Sequence, residues 1–551
     1  MHVIRLENIT INHAGRVIFQ GLSWAIDDRD RVGLVGPNGA GKSSLLKAIT
    51  GEVIPDAGSV IRLKEVRVGY LPQNVQFSSG KTLFDEAMIL PPRLARVEAE
   101  LAKIDDQLGD PDIYGNDAAL TRVLDRQRLL WEEFDHLGGA QHGSKVREIL
   151  SLLGFAPNDY GLKVEHLSGG QKKLLALTKL AVESPDVLLL DEPDNHLDLQ
   201  AKRYLENFIR HYAGAVIIVS HDRYLLDEVA TQIAELADGA LTLYPGNYTA
   251  YAAERELRRL RQQQLYAAQQ KEIARIEAAI KRFEHWARIT EDNRHTRQAN
   301  HRRKMLERME ANGEMIEQIR ESRRMELQIS GWRGSNKALE VKDLTMGFDS
   351  DLLFLELNFL IRHGERVGLI GPNGAGKSVL FNLILGQLPP LEGDIVIGPS
   401  TRIGYYAQEY QTLADWLDRT PLELVRNINP THEGAAVAFL LKFLFTYEQT
   451  RQPIRTLSGG ERSRLQLAAL MLQKPNLLLL DEPTNNLDIP SVEVLESTLE
   501  DFEGAVLVIS HDRYFLDQVV DRVFELKDGT LQSYEGGYTD YLEAVKAKET
   551  A

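Results

Sequence analysis

The chain has 551 residues, several times the ~150 of one typical domain, and its 43% hydrophobic and 26% charged content excludes a disordered or fibrous protein. It contains no cysteine, which excludes disulfides, thiolate-held zinc and iron–sulfur clusters and suits a reducing compartment. The formal net charge of −16 argues, taken as an average, against a nucleic-acid partner, because neutralising phosphates needs local positive charge.

The N-terminal stretch MHVIRLENIT lacks the charged and apolar regions of a signal peptide. The longest apolar runs, Val187-Leu190 and Leu477-Leu480, are strand-sized and far below the ~20 residues of a membrane span. The expectation is a cytoplasmic protein. Val32-Val35 predicts a strand and Ser44-Ile49 a helix, and between them stands Gly36-Pro37-Asn38-Gly39-Ala40-Gly41-Lys42-Ser43. This is a phosphate-binding loop in the context it requires: its backbone N–H groups wrap phosphates, Lys42 offers a cation to the β and γ oxygens, and Ser43 offers a hydroxyl to Mg²⁺. Ser44 joins the expected nucleotide contacts, and Gln73 is a candidate ligand for the metal or the attacking water.

Residues 91–142 read as an inserted helical arm. Leu94, Val97, Leu101, Ile104 and Leu108 step by three and four. Gly109-Asp110-Pro111 then breaks the chain, and Leu120, Val123, Leu124, Leu130, Trp131, Phe134 and Leu137 form a second apolar face. Next comes Leu167-Ser168-Gly169-Gly170-Gln171 ahead of a helical stretch, whose first amides form a second anion site. One nucleotide domain already holds its phosphates with its own loop, so this second site makes sense if it closes on nucleotide held elsewhere. Asp191 ends an apolar strand and places a carboxylate near the metal, and Glu192 follows as the candidate to polarise water. His221, after Val216-Val219, is positioned to reach a γ-phosphate.

The whole arrangement then repeats. Gly371-Pro372-Asn373-Gly374-Ala375-Gly376-Lys377-Ser378, followed by Val379, restates the first loop at an offset of 335. Ser458-Gly459-Gly460-Glu461, Asp481, Glu482 and His511 restate the later motifs at an offset of 290. Gln408 matches Gln73, so the 45-residue change of offset places the arm after Gln73. The expected division is residues 1–251 for the first unit, 252–337 for a linker and 338–551 for the second unit.

The linker reads as helix, with Ile273, Ile276, Ile280 and Phe283 on one face and no proline, turning back at Thr290-Glu291-Asp292-Asn293. Residues 254–326 hold 18 Lys and Arg against 13 Asp and Glu, so the remainder of the chain is near −21. The whole excess lies within 281–308, where Arg288, Arg294, Arg297, Arg302, Arg303 and Lys304 gather with Trp286, His295 and His301, a pattern suited to RNA.

LSGGQ with DEPDNHLD and SHDRY, twice over, resembles the ATP-binding cassette ATPases along nearly all of both repeats. The resemblance implies an α/β fold of two P-loop cassettes in tandem that sandwich two ATPs head to tail. Lys42, Asp191, Glu192 and His221 would face Ser458, Gly459 and Gly460 in one site. Lys377, Asp481, Glu482 and His511 would face Ser168, Gly169 and Gly170 in the other. Two cassettes with an arm, a charged helical-hairpin linker and no membrane domain resemble the ABC-F subfamily, whose members are ribosome-binding translation factors, some of them antibiotic-protection proteins. By that resemblance a monomeric chain would enter the tRNA exit site, direct its linker tip to the peptidyl-tRNA and peptidyl-transferase centre, and set its arm against the ribosomal stalk region. Hydrolysis of ATP with Mg²⁺ would release it. The rival reading, an energising subunit of a membrane transporter, predicts no need for a long basic hairpin.

Three positions depart from the family pattern. Asp194 stands where Thr is usual, and Asn486 where His is usual. The adenine-stacking aromatic is matched by Phe348 in the second cassette but by His13 in the first.

Overall fold

The computed structural model describes residues 1–13, 16–77, 80–109, 117–290, 293–312, 325, 327, 334–348 and 351–550. Among the described residues, nine strands build the first cassette: β1 (His2–His13), β2 (Arg16–Asp27), β3 (Arg31–Val35), β4 (Ala57–Arg62), β5 (Val68–Leu71), β6 (Val187–Asp191), β7 (Ala215–Val219), β8 (Gln232–Ala237) and β9 (Ala240–Pro245). They form a three-stranded antiparallel sheet in the order β2-β1-β4 and a six-stranded sheet in the order β5-β6-β7-β3-β8-β9. In the larger sheet β5, β6, β7, β3 and β8 run parallel, and β9 closes the edge antiparallel to β8.

Every residue of β6 and β7 is buried. That explains their unbroken apolar runs, since a parallel strand covered on both faces has no polar side. Because these strands are parallel, their C-terminal ends share one edge, and the turns leaving β3, β6 and β7 converge there.

The second cassette repeats the plan with β10 (Lys337–Phe348), β11 (Asp351–Arg362), β12 (Arg366–Ile370), β13 (Glu392–Ile397), β14 (Ile403–Tyr406), β15 (Leu477–Asp481), β16 (Ala505–Ile509), β17 (Arg522–Lys527) and β18 (Thr530–Glu535). Its sheets run β11-β10-β13 and β14-β15-β16-β12-β17-β18. The expected pair of α/β cassettes is therefore the observed architecture.

The arm is two helices, Pro92–Leu108 and Asp117–His136, packed through Val97, Leu101, Ile104 and Leu130, with Leu108, Val123, Phe134 and Leu137 at the margin. Two residues read as part of its apolar face are not in it: Leu124 and Trp131 are 46% and 47% exposed. The helix turns its contact stripe through 123, 130, 134 and 137, and one residue further round at 3.6 residues per turn already faces solvent.

A 43-residue helix, Tyr248–Thr290, about 65 Å long at 1.5 Å per residue, starts in the core of the first cassette at Tyr248 and Tyr251 and runs on as the first half of the linker. A second helix, Asn293–Ala311, packs back against it. Ile276, Ala279 and Ala299 are buried between the two. Residues 291 and 292 of the expected turn lie outside the described residues. Among the described residues no helix is long and apolar enough to cross a membrane.

Candidate active site

Each phosphate loop leaves a central strand by a backbone path that only glycine follows. At Gly36 φ is 153°, and a Cβ there would lie 2.2 Å from the Leu236 carbonyl oxygen; Gly371 has the same relation to Leu526. The loops then start the helices Lys42–Thr50 and Lys377–Ile384. The buried Lys42 ammonium donates to the carbonyls of Gly36 at 2.7 Å and Pro37 at 3.2 Å, and Lys377 does the same to Gly371 and Pro372 at 2.8 and 2.9 Å. Both lysines are held below their ordinary pKa, chiefly by burial.

Glu192 and Glu482 follow the last strand residues, Asp191 and Asp481, in a left-handed conformation with φ of 50° at each. Their N–H groups donate to the neighbouring strand, Glu192 to Val219 and Glu482 to Ile509, so the ladder itself turns each carboxylate into the cleft. Glu192 accepts from Gln73 and Asn195, both at 2.6 Å. His221 Nε2 lies 3.7 Å from Glu192 Oε1, and His511 Nε2 lies 3.5 Å from Glu482 Oε1.

Burial sets the charge states. It pushes Glu482 up to about 8 with help from Asp481, pushes Asp481 up to about 6, and raises Glu192. It also lowers His221 to about 4 and His511 well below its usual range, so both imidazoles are neutral near pH 7. Asp481 accepts a hydrogen bond from Ser378, and the buried Asp191 Oδ1 has no partner among the described groups. A carboxylate oxygen with an open lone pair beside a P-loop serine suits a hard cation such as Mg²⁺.

The signature helices Gly169–Glu183 and Gly459–Gln473 start as expected, with one refinement. Gln171 and Glu461 fold back to accept from the Ser168 and Ser458 N–H groups, and the two serine hydroxyls accept from the amides of Gln171 and Glu461. These capping boxes occupy the amides at both ends of each motif.

The two cassettes face each other across one continuous cleft of about 2550 Å³, lined among others by Lys42, Ser458, Lys377 and Ser168. The Asn38 N–H donates to Asp488 at 3.3 Å and the Asn373 N–H to Asp198 at 3.2 Å, so each phosphate loop touches the opposite cassette. The Asn38 and Asn373 amides reach the carbonyls of Asn486 and His196 at 3.5 and 3.4 Å. Both carbonyl residues are left-handed, at φ of 63° and 67°, a conformation that asparagine tolerates well. The contact uses the backbone, which accounts for Asn486 standing in for histidine. Phe348 lines the cleft and is half exposed. The side chains of His13 and Gln408 lie outside the described residues.

At the linker tip, His295 stacks on Phe283 with centroids 6.0 Å apart and meets Trp286 at 5.6 Å. Arg302 lies over the Phe283 ring at 4.7 Å, and Arg303 pairs with Glu284, so these two cations also hold the hairpin closed. Arg288, Arg294, Arg297 and Lys304 are solvent-exposed.

Residues 19–195 and 354–485 match the family model described as ABC transporter, and residues 234–329 match a further model of the same description. The ABC transporter F family member 5 of Arabidopsis thaliana is 34% identical over 547 residues, covering 98% of this chain and 77% of that protein. This chain belongs to the ABC-F family of ATP-binding cassette proteins. Its cassettes are ATP-binding ATPase domains. Two further ABC-F-like relatives are the ribosome protection protein VmlR of Bacillus subtilis (strain 168), 34% identical over 94% of this chain and 86% of that one, and the ATP-binding protein Uup of Escherichia coli (strain K12), 33% identical over 98% and 83%. Among solved structures, the archaeal ribosome recycling factor aABCE1, crystallised with ribosomal stalk protein aP1, aligns with a TM-score of 0.62 at 19% identity over 98% of this chain and 92% of that one, a likeness of fold.

The arginines of the two SHDRY motifs hold the cassettes together with glutamates that no motif marks. Arg223 forms a buried ion pair with Glu496 and lies over the Tyr514 ring at 4.0 Å; Arg513 does the same with Glu206 and Tyr224 at 4.1 Å. Each pair joins opposite cassettes, and every member has its counterpart 290 residues away. That shared offset is the signal the sequence offers, but complementary charges in separate repeats do not announce that they touch.

Proposed function

We propose that this ABC-F chain is an ATP-hydrolysing translation factor that binds the ribosome near the tRNA exit site and is released when ATP is spent. The observation carrying this reading is the two-helix linker of about 65 Å, whose basic, aromatic-braced tip projects from a strongly acidic two-cassette body. The acidic body disfavours indiscriminate RNA binding while the tip supplies local attraction. The ribosome protection protein VmlR and the aABCE1 complex with a stalk protein support a ribosomal partner. In this reading the arm, 91–142, meets the stalk region; the linker, 252–337, directs Arg288, Arg294, Arg297, Arg302, Arg303 and Lys304 towards rRNA and peptidyl-tRNA; and the cassettes, 1–251 and 338–551, close as a cytoplasmic monomer. Translation regulation and antibiotic protection are both compatible with this engine.

Two composite sites would do the chemistry. Gly36–Ser44 and Gly371–Val379 cradle the phosphates, and the signature glycines of the opposite cassette complete the enclosure. Ser43, Asp191 and Gln73, and Ser378, Asp481 and Gln408, would hold Mg²⁺, which when bound neutralises the β and γ oxygens. Glu192 and Glu482, in their ionised forms, orient and deprotonate water, and the neutral His221 and His511 donate to the γ-phosphate while facing those carboxylates. The test is Glu192→Gln with Glu482→Gln: given ATP, this variant should co-sediment with ribosomes in a sucrose gradient. Sedimentation free of ribosomes would overturn the translation-factor reading.

A further inference from the structure

At the 290-residue offset, three neighbouring positions differ together: Lys173, Asp194 and Lys202 in the first cassette stand against Ser463, Thr484 and Val492 in the second. All three first-cassette residues are buried, and they form one charge cluster in which Asp194 feels Asp222, Lys202 and Lys173. Lys173 donates to the Glu192 carbonyl at 2.6 Å. Lys202 crosses the interface: its ammonium donates to Asp222 Oδ2 at 2.7 Å and to the His511 carbonyl of the second cassette at 2.8 Å.

The His511 peptide is thereby gripped on both sides, because its N–H also donates to Glu482 Oε2 at 3.3 Å. Asp222 is itself fixed, since its other oxygen caps the helix Arg223–Val229 by accepting from the Leu225 N–H at 3.0 Å. The chain from Glu482 through His511 and Lys202 to Asp222 therefore links the histidine loop of the second site to that of the first. At the corresponding place on the second cassette, Val492 has no cation to return the contact.

We propose that Lys202 is a positioning residue supplied by the first cassette to the second ATP site. It holds the His511 loop against Glu482 only while the cassettes are closed. The second site thus depends on closure through a contact that the first site does not have. The proposal rests on the roles assigned above to Glu482 and His511. It also gives Asp194 a reason: a threonine there would leave two buried lysines with one less counter-charge.

Rapid-quench measurement of the first turnover, with ATP bound at both sites, tests this. The wild type is expected to hydrolyse two ATP per chain in fast phases, and Glu482→Gln to remove one of them. Lys202→Val should slow that same phase at least tenfold while ATP affinity stays within twofold, and should leave the phase that survives in Glu482→Gln within threefold. Unchanged phases in Lys202→Val, or equal slowing of both, would overturn the Lys202 assignment. If Glu482→Gln itself leaves both phases intact, the reading of the second site fails instead. Because Lys202→Val strands Asp222 and Asp194, the triple variant Lys173→Ser, Asp194→Thr, Lys202→Val is the companion measurement. It copies the uncharged set of the second cassette, and it should be folded and show the slowed second-site phase, which alone is read in this variant because Lys173 also holds the Glu192 carbonyl of the first site. Two fast phases in the folded triple variant would overturn the proposal.

Discussion

The two cassettes share their strand order, their phosphate loops and their left-handed glutamates, yet their interface-facing residues are handled differently. The first cassette buries Lys173, Asp194 and Lys202 where the second buries Ser463 and Val492 and carries Thr484. The ion pairs Arg223–Glu496 and Arg513–Glu206, by contrast, are interchangeable under the 290-residue repeat. The contrast teaches that this chain keeps its locking contacts symmetric and makes its switching contacts asymmetric. Asp194, a departure when viewed alone, is one member of a compensated set.

The largest expected effect tests what the cassettes share. Glu192→Gln with Glu482→Gln should lower steady-state phosphate release by ~10²–10⁴, the range for removing a general base. Each single variant shows whether the two halves contribute equally. Next in size are the symmetric locks. Arg223→Ala or Arg513→Ala leaves a buried carboxylate unpaired, a loss of about 3–5 kcal/mol from the closed interface. A fluorescence-distance assay of ATP-driven closure should show matched shifts for the two variants; strongly unequal shifts would break the symmetry of the locks.

A pH comparison comes third. Burial holds the Glu482 carboxyl at about 8 against an ordinary 4.5, so the folded chain keeps a proton that the unfolded chain has released. Stability contributed at this position therefore falls as pH rises from about 4.5 to 8. For the nucleotide-free protein, the Tm of Glu482→Gln relative to wild type should be higher at pH 8 than at pH 5. A constant difference would remove the buried-carboxyl account.

A smaller effect separates the linker from both cassettes. Replacing Arg288, Arg294 and Arg297 with glutamine should weaken ribosome association and flatten its dependence on log salt by ~0.7–0.9 for each phosphate left without its cation. An unchanged slope would take the RNA role away from the tip. The smallest is Asn486→His, which keeps the carbonyl that meets Asn38 and should leave ATP hydrolysis within twofold.

The repeat, the arm and the linker hairpin are legible because each carries a local signal: a motif, a 3/4 apolar step or a missing proline. The phosphate loops and the Asp-Glu pairs are legible too, since parallel strands bring their C-terminal turns to one edge wherever the intervening chain goes. The arm's outer face reads too broadly, because Leu124 and Trp131 sit beside the true stripe and only the partner helix decides its width. Gln171 and Glu461 stand in the sequence as the last residues of two glycine-rich anion sites, but a Ser-x-x-Gln or Ser-x-x-Glu helix start first satisfies its own backbone.

The order of residues by itself determined two P-loop cassettes, the candidates for their chemistry and a basic hairpin between them, because these follow from periodicity and from motifs a few residues long. Only the tertiary structure decided which charges are buried against each other across the interface. Lys202 and His511 are 309 residues apart, and nothing local marks them as partners. Desolvation makes the pairing matter: at the surface those charges would be screened, whereas between closed cassettes each one must find its counterpart.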